Sequence, residues 1–410
     1  MDMFDSRDTL APTAREEALF ARLAQHLPKA IASSPGLARH LAGHDLAGVT
    51  DRASLAALPV LRKADLMAAQ EAAPPFGGFA NLEALAGSRV FLSPGPIWEP
   101  QGLGADPWLA ARALHAAGFR LGDVVHNALS YHMTPGGFIL DEGLRALGCT
   151  VFPGGIGHTD AQVEAAVALK PSGYVGTPDY LKVILDRAAE MNADLSSIGR
   201  ALVSGGALFP SMRAEYKARG VTVMQAYATA DLGVIAYESM ADGELCDGMV
   251  VNEDLIVEIV RPGTDQPVAA GDVGELVVTN FSASYPLVRF GTGDLSAILD
   301  EPSPCGRTAM RIKGWIGRAD QRTKVKGMFV DPKQIEQVRK IHPDIAAARL
   351  VVSRSGEQDT MTLQVVGSGV DAAAVSETLR AFTKLSGQVE IVDDLPNDGK
   401  VIADKRDYDA

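Results

Sequence analysis

The sequence predicts an α/β protein with a large N-terminal domain of mostly parallel sheets covered by helices plus a β-rich subdomain, followed by a small α+β C-terminal domain. Three observations carry this expectation. The chain has 410 residues, more than one ordinary core accommodates. From residue 88 to residue 225, short apolar runs alternate with helical patterns, which implies strand–helix–strand units and a parallel sheet covered on both faces. The pattern then changes twice, near residue 232 and near Gly317–Gln321, giving domains at 1–319 and 320–410 with the β-rich subdomain at about 233–319.

Residues 13–44 read as helical, with an apolar stripe of Leu19, Ala21, Leu23 and Leu27. Residues 57–70 read as a short strand or loop followed by a helix, and Pro74-Pro75-Phe76-Gly77-Gly78 as a loop by its turn chemistry. Ser88–Leu92 opens the alternation as a strand, then Asp106–Ala117 a helix, Asp123–Leu129 a strand, Gly137–Leu147 a helix and Thr150–Pro153 a strand. It continues with helix Asp160–Leu169, strand Gly173–Val175, helix Pro178–Met191, strand Arg200–Ser204, helix Phe209–Ala218 and strand Val221–Gln225. The Gly and Pro loops ending these strands fall where open parallel sheets place ligands. Val250–Val260 and Glu275–Asn280 are β-rich with Gly and Pro turns, as an antiparallel unit requires. Beyond the second change, Thr323–Val330 reads as a hairpin and Pro332–Lys340 as a helix with proline at its first position. Strands Ala347–Ser353 and Met361–Val366, helix Ala372–Thr383 and strand Val389–Val392 complete a small domain, and the polar stretch Asn397–Ala410 reads as a mobile loop.

Composition narrows the class. Apolar residues are 47% and charged residues 22%, so a packed globular protein is expected. Apolar runs such as Leu55–Leu61 fall far short of a bilayer span. The formal net charge of -13 disfavours nucleic acid or an anionic membrane as partner. The acidic start, Met1-Asp2-Met3-Phe4-Asp5, lacks the pattern of a signal peptide, and Cys149, Cys246 and Cys305 cannot form a disulfide framework. A reducing cytoplasm is the expected location.

The order of the motifs is more specific than any one of them. Tyr285-Pro286-Leu287-Val288-Arg289-Phe290-Gly291-Thr292-Gly293-Asp294-Leu295 resembles the YRTGDL signature of adenylate-forming ligases. Gly317-Arg318-Ala319-Asp320-Gln321-Arg322-Thr323-Lys324-Val325-Lys326-Gly327 resembles the hinge motif of that family, and Leu395-Pro396-Asn397-Asp398-Gly399-Lys400 its final lysine motif. Ser204-Gly205-Gly206-Ala207 and Gln225-Ala226-Tyr227-Ala228-Thr229-Ala230-Asp231 stand where the adenine-binding motifs belong. His126-Asn127-Ala128, Gly136-Gly137, Leu147-Gly148-Cys149-Thr150-Val151 and Gly154-Gly155 are similar to the phenylacetate–CoA ligase branch, over roughly residues 55 to 405.

The resemblance implies a ligase that joins a carboxylic acid to AMP from ATP and Mg2+, releases pyrophosphate, and passes the acyl group to coenzyme A. Both steps build negative charge at an acyl centre. Asp294 would accept hydrogen bonds from the ribose diol, against the plainer reading of a turn aspartate. Arg318 would contact ribose or phosphate, or else form a surface ion pair. Tyr227 would stack on adenine, with Gly205, Gly206 and Ala207 permitting close approach; a core tyrosine is the alternative. Lys400 would be the catalytic lysine reaching the new carboxyl–phosphate bond, or an exposed tail lysine. Asp320 would be the hinge between the two half-reactions and Gly327 would border the pantetheine channel. Asp231 stands where the family has a glutamate that binds magnesium, and a shorter carboxylate serves that role directly or through water.

Two stretches depart from the family. The phosphate loop is expected at Ser93-Pro94-Gly95-Pro96-Ile97-Trp98-Glu99-Pro100, with Ser93 and Gly95 as its binding residues. Three prolines there remove N–H donors, no lysine follows closely, and Glu99 brings a charge that opposes a triphosphate. The acyl pocket is expected at Leu129, Tyr131, Thr134 and Gly137, where two aromatic positions of phenylacetate enzymes are replaced, leaving an aromatic or medium apolar acid as the expected substrate. Cys246 and Cys305 fall in regions where some relatives hold zinc, but a closed site needs four N or S ligands and two buried thiols are the plainer expectation. His132 and His158 are loop residues near the expected pocket. The resemblance implies a homodimer. Two alternatives stand beside the CoA ligase: an enzyme that loads a carrier-protein thiol, and a degenerate homologue that binds nucleotide or acyl-CoA without turnover.

Overall fold

The computed structural model describes residues 2–319, 321, 323–355, 358–396 and 401–406. The chain divides into two compact units, Met1–Ile316 and Gly317–Ala410. No helix among the described residues is long and apolar enough to cross a membrane.

The first unit starts with helix α1 (Pro12–Ser33), which opens on a proline and buries Leu19, Leu23 and Leu27. A two-residue strand β1 (Leu61–Arg62) leads directly into α2 (Lys63–Ala72). Strands β2 (Val90–Ser93) and β3 (Ile97–Pro100) then form a separate two-stranded hairpin. The segment Ser88–Leu92 was expected in the parallel sheet; the prolines of 94, 96 and 100 instead confine it to a short antiparallel pair that no further strand joins.

The alternation beyond it builds the main sheet: β4 (Val124–Asn127), α3 (Gly136–Ala146), β5 (Thr150–Pro153), α4 (Thr159–Leu169), β6 (Gly173–Gly176) and α5 (Pro178–Glu190). It continues through β7 (Arg200–Val203), α6 (Pro210–Ala218) and β8 (Thr222–Thr229). These strands run parallel in the order β8-β7-β6-β4-β5. Their interior residues are apolar almost without alternation, as strands covered on both faces require; Val125, Val175 and Leu202 are all fully buried. Helices α5 and α6 both open on a proline, whose missing N–H has no helical partner at that position anyway.

After β8 the chain turns antiparallel. Strands β9 (Gly233–Tyr237) and β10 (Met249–Val251) extend the main sheet. Strands β11 (Ile256–Val260), β12 (Gly274–Thr279) and β13 (Phe290–Ser296) form a second sheet in the order β1-β13-β12-β11. Strands β14 (Ile298–Leu299) and β15 (Arg311–Ile312) return to the edge of the first. Helix α1 packs its apolar stripe into one core with Ile256, Ile259, Leu276, Val278 and Phe290 of the second sheet. Each such side chain contributes about 1.5–3 kcal/mol on full burial.

The second unit contains the hairpin β16 (Thr323–Val325) and β17 (Met328–Val330), then α7 (Pro332–Ile341). Asp331 and Gln334 cap α7 reciprocally. Its sheet has the order β20-β19-β18-β21, from β18 (Ile345–Ser355), β19 (Gln358–Gly367), β20 (Gln388–Ile391) and β21 (Ile402–Asp404), with α8 (Ala372–Thr383) following β19. Strand β21 corrects the expectation of a mobile loop after residue 397: it pairs in parallel with β18, and Ile402 and Ala403 are buried. A three-residue strand within a polar stretch is too short to show an apolar period.

Candidate active site

Strand β13 is built to hold one carboxylate in place. Arg289, just before it, is fully buried, with an ion pair to Glu258 and hydrogen bonds to the carbonyls of Ala56, Leu58 and Asp265. Glu275 on the neighbouring strand accepts from the Gly293 N–H at 3.2 Å and pairs with Arg62. A Cβ on Gly291 would lie 2.6 Å from Glu275 Oε1, so a side chain there would push that carboxylate from its place. Thr292 Oγ1 donates to the Leu276 carbonyl at 2.9 Å and accepts from the Asp294 N–H at 3.1 Å. Most of the signature thus anchors the strand, and Asp294 is the residue it presents.

Asp294 receives the Tyr227 hydroxyl at Oδ2, 2.7 Å away, and the Trp315 indole N–H at Oδ1, 3.1 Å away. Tyr227 lies on β8, and the segment leading out of that strand carries Asp231. The turn after β7 holds Gly205 at φ 74° and Gly206, whose carbonyl accepts from the Gln225 amide at 3.0 Å. Gly205, Gly206, Ala207, Tyr227, Asp231 and Asp294 therefore gather beyond the carboxyl ends of parallel strands, where such sheets bind ligands. Trp315 has no counterpart in the sequence reading; no spacing announces that its indole reaches a residue twenty-one positions earlier.

The segment expected as a phosphate loop is the turn of the β2–β3 hairpin, which carries Ser93 and Gly95. Two amides on the strands beside the turn are in use: the Leu92 N–H donates to the Met133 carbonyl at 2.9 Å, and the Trp98 N–H to Gln70 Oε1 at 2.8 Å. The Gln70 amide returns a bond to the Trp98 carbonyl at 2.8 Å, so α2 grips β3 through one residue's main chain. Glu99 does not face solvent: it is 1% exposed and accepts the Ser93 hydroxyl at 2.5 Å. Burial, reinforced by the nearby Asp231 carboxylate, pushes the Glu99 carboxyl up to about 8, despite the Ser93 hydrogen bond and the Lys63 charge. Burial thus favours its uncharged form, the opposite direction to the repulsive charge expected from sequence. Lys63, at the start of α2, lies 2.7 Å from Asp231 Oδ2.

The expected acyl pocket, Leu129, Tyr131, Thr134 and Gly137, follows β4 and leads into α3. The Leu129 N–H donates to Asn127 Oδ1 at 3.1 Å. The Tyr131 hydroxyl donates to Asp141 Oδ2 at 2.8 Å and accepts from the Asn127 amide at 2.7 Å, while its ring meets Phe138 edge-on. Its polar end is thus occupied by the protein itself. A Cβ on Gly137 would lie 2.8 Å from the Tyr131 ring, so that glycine shapes the loop. His126, on β4, is fully buried, with Nε2 2.6 Å from Gln162 Oε1. His132 and His158 are both exposed.

Arg318, Gln321 and Gly327 belong to the second unit. Asp320 and Lys400 lie outside the described residues. Cys246 and Cys305 are free and buried; the Ser303 hydroxyl lies 3.0 Å from Cys305 Sγ, and no group of three or more His, Cys, Asp or Glu among the described residues could hold a metal.

Residues 108–283 match a family described as AMP-binding enzyme. The phenylacetate–coenzyme A ligase of Aromatoleum evansii is 32% identical over 329 residues, covering 76% of this chain and 72% of the relative. That of Thermus thermophilus is 30% identical, covering 79% and 74%. Among solved structures, 2-hydroxyisobutyryl-CoA ligase in complex with its acyl adenylate and CoA superimposes with a TM-score of 0.79 at 24% identity, over 98% of this chain and 92% of that one.

Proposed function

Because this chain belongs to the phenylacetate–coenzyme A ligase branch of the adenylate-forming enzymes, we propose that it is an ATP-dependent ligase that activates an aromatic or apolar carboxylic acid as its acyl adenylate and transfers it to coenzyme A. The observation that carries this reading is the arrangement at Asp294: a carboxylate fixed by a rigid strand, with an aromatic residue, Tyr227, joined to it.

Asp294 holds the ribose hydroxyls, as a carboxylate with two acceptor oxygens suits a diol. Tyr227, its hydroxyl tethered, offers a ring face to adenine, with the Gly205-Gly206-Ala207 turn as the adjoining backbone. Leu129, Tyr131, Thr134 and Gly137 shape the acyl pocket. With the Tyr131 hydroxyl satisfied internally, the pocket recognises its acid by shape and apolar contact, which favours an aromatic or apolar acid over a hydroxylated one. Arg318 contacts ribose or phosphate and Asp320 is the hinge. Lys400 stabilises charge on the carboxyl–phosphate bond as it forms.

Magnesium fits Asp231: its Oδ1 is buried and accepts no hydrogen bond among the described residues. When bound there, the ion neutralises phosphate charge. Cytoplasmic location and a homodimer belong to this reading through the resemblance. One observation favours a second reading, a homologue that binds nucleotide without turnover: the expected phosphate loop is the turn of a short, proline-rich hairpin held to the protein through the Leu92 and Trp98 amides.

The experiment is pyrophosphate release from Mg-ATP across a panel of aromatic and apolar acids, followed by CoA-dependent thioester formation. Release with at least one acid is expected, abolished in Lys400→Ala while nucleotide binding stays measurable. No release with any acid, while AMP still binds, would establish the second reading.

A further inference from the structure

We propose that Trp315 is a positioning residue for the nucleotide: its indole N–H sets the plane of the Asp294 carboxylate and so makes the site selective for an intact ribose diol. The inference rests on the reading of Asp294 as the ribose carboxylate and assigns the residue that prepares it.

The chain is built to bring the indole to that carboxylate. After β15, residues 313–316 run back along the end of β13. The Lys313 N–H donates to the Ala297 carbonyl at 2.9 Å and the Ile316 N–H to the Leu295 carbonyl at 3.0 Å. Gly314, at φ 85°, bends the chain between these two bonds. Side chains alternate along a strand, so Asp294 and Ser296 leave β13 on one face. Both grip the returning segment. The Ser296 hydroxyl donates to the Gly314 carbonyl at 2.7 Å, and Asp294 Oδ1 accepts the Trp315 indole N–H at 3.1 Å. Trp315, Tyr227 and Asp294 all belong to the first compact unit.

The need to satisfy a buried donor does not account for this contact. Trp108 is buried, whereas Trp315 is half-buried. At that depth water can satisfy an indole N–H, so its direction at a carboxylate reflects the local geometry rather than a requirement of burial.

The geometry has a consequence for the diol. The torsion about the Cβ–Cγ bond of an aspartate is broad and roughly two-fold, so the side chain alone does not fix where its oxygens point. A donor on one oxygen leaves the carboxylate able to swing about it, and a second donor on the other oxygen sets the plane. Tyr227 holds Oδ2 from β8, and Trp315 holds Oδ1 from the segment after β15. A ribose presents two hydroxyls at a fixed spacing and gains from a carboxylate whose plane is set before it arrives. A nucleotide without those hydroxyls gains nothing from it.

The test is calorimetry on the full chain with two probes, AMP and 2′,3′-dideoxy-AMP. The wild type is expected to prefer AMP at least about tenfold, the scale of a hydrogen bond to a charged group. Trp315→Phe keeps an aromatic ring and removes the N–H. Its AMP affinity is expected to fall about tenfold while its dideoxy-AMP affinity changes less than about twofold, so the preference collapses. Trp315→His carries a ring N–H at the position of the indole N–H and is expected to recover most of the preference. A merely structural role would weaken both nucleotides alike, so an unchanged preference in folded Trp315→Phe overturns the proposal. Should that variant fail to fold, Trp315→His decides: a retained preference supports the role of the N–H, and a lost one overturns it. A wild type that binds both nucleotides equally removes the Asp294 reading and this proposal together. A wild type that prefers AMP, with Trp315→Phe preferring it equally, removes the role of Trp315 alone.

Discussion

Tyr227 donates its hydroxyl to Asp294 Oδ2 at 2.7 Å, so the ring proposed to meet the base is tied to the carboxylate proposed to hold the ribose. The pair should behave as a unit. Tyr227→Phe keeps the ring and removes the tether, and a hydrogen bond to a charged partner is worth about 1.5–3 kcal/mol. AMP affinity, measured by calorimetry, is expected to fall roughly tenfold to a hundredfold on that scale. Asp294→Ala removes the ribose contact as well and should fall further. The double variant should lose less than the sum of the two, because both remove the same tether. Additive losses would show that the hydrogen bond carries no coupling.

Gln70 holds the hairpin through both atoms of its amide, one on the Trp98 N–H and one on the Trp98 carbonyl. Being 3% exposed, it cannot be replaced there by water at no cost. Gln70→Ala leaves two part-buried main-chain groups of Trp98 without their side-chain partner and is expected to destabilise the protein by about 1–2 kcal/mol. Urea denaturation measures this, and a loss below about 0.5 kcal/mol, the range of ordinary surface changes, would show that the hairpin is held by other contacts.

What sequence made legible follows a physical division. Parallel strands such as Thr150–Pro153 and helices such as Ala372–Thr383 announce themselves because burial period and capping are local. The positions of Tyr227 and Asp294 were legible through motif order, but their hydrogen bond joins residues sixty-seven apart, and no local pattern records it. Trp315 was missed for the same reason. Glu99 was misread because its charge was taken at face value: the fold buries it, and burial decides protonation. Strand β21 escaped because its partner, β18, lies about fifty residues earlier.

At the acyl pocket, Gly137 and Tyr131 depend on each other. A Cβ at position 137 would lie 2.8 Å from the Tyr131 ring and 2.9 Å from the Ser130 carbonyl, so Gly137→Ala must displace the loop. The expected result is a raised KM for the acid with ATP affinity unchanged, and destabilisation of about 1–3 kcal/mol as for other overpacked sites. Tyr131→Phe keeps the ring but strips Asp141 of its donor. It should cost stability with a smaller change in KM, because the hydroxyl already faces the protein. Steady-state kinetics beside denaturation separate the two effects. Equal KM increases in both variants would indicate that the Tyr131 hydroxyl meets the substrate after all.

Acid sensitivity should be traceable in part to His26 on α1. Its Nε2 is buried with no hydrogen-bond partner among the described residues, and its ring meets Phe281 edge-on. Burial chiefly, with the positive charges of Arg22 and Lys29 adding to it, lowers its pKa from 6.5 to about 4. For a base held neutral in the folded state, the unfolded chain binds the extra proton between those two values. Stability from this site is therefore fully present above about pH 6.5 and is lost as pH falls toward about 4. His26→Leu keeps comparable bulk against Phe281 and cannot take up the proton. Between pH 7.5 and pH 4.5, its urea midpoint is expected to fall less than that of the wild type, even if the variant is less stable at the higher pH. The comparison of the two falls isolates His26 from carboxylates that titrate in both proteins. Identical falls would place the acid sensitivity elsewhere and show that the ring reaches solvent when protonated.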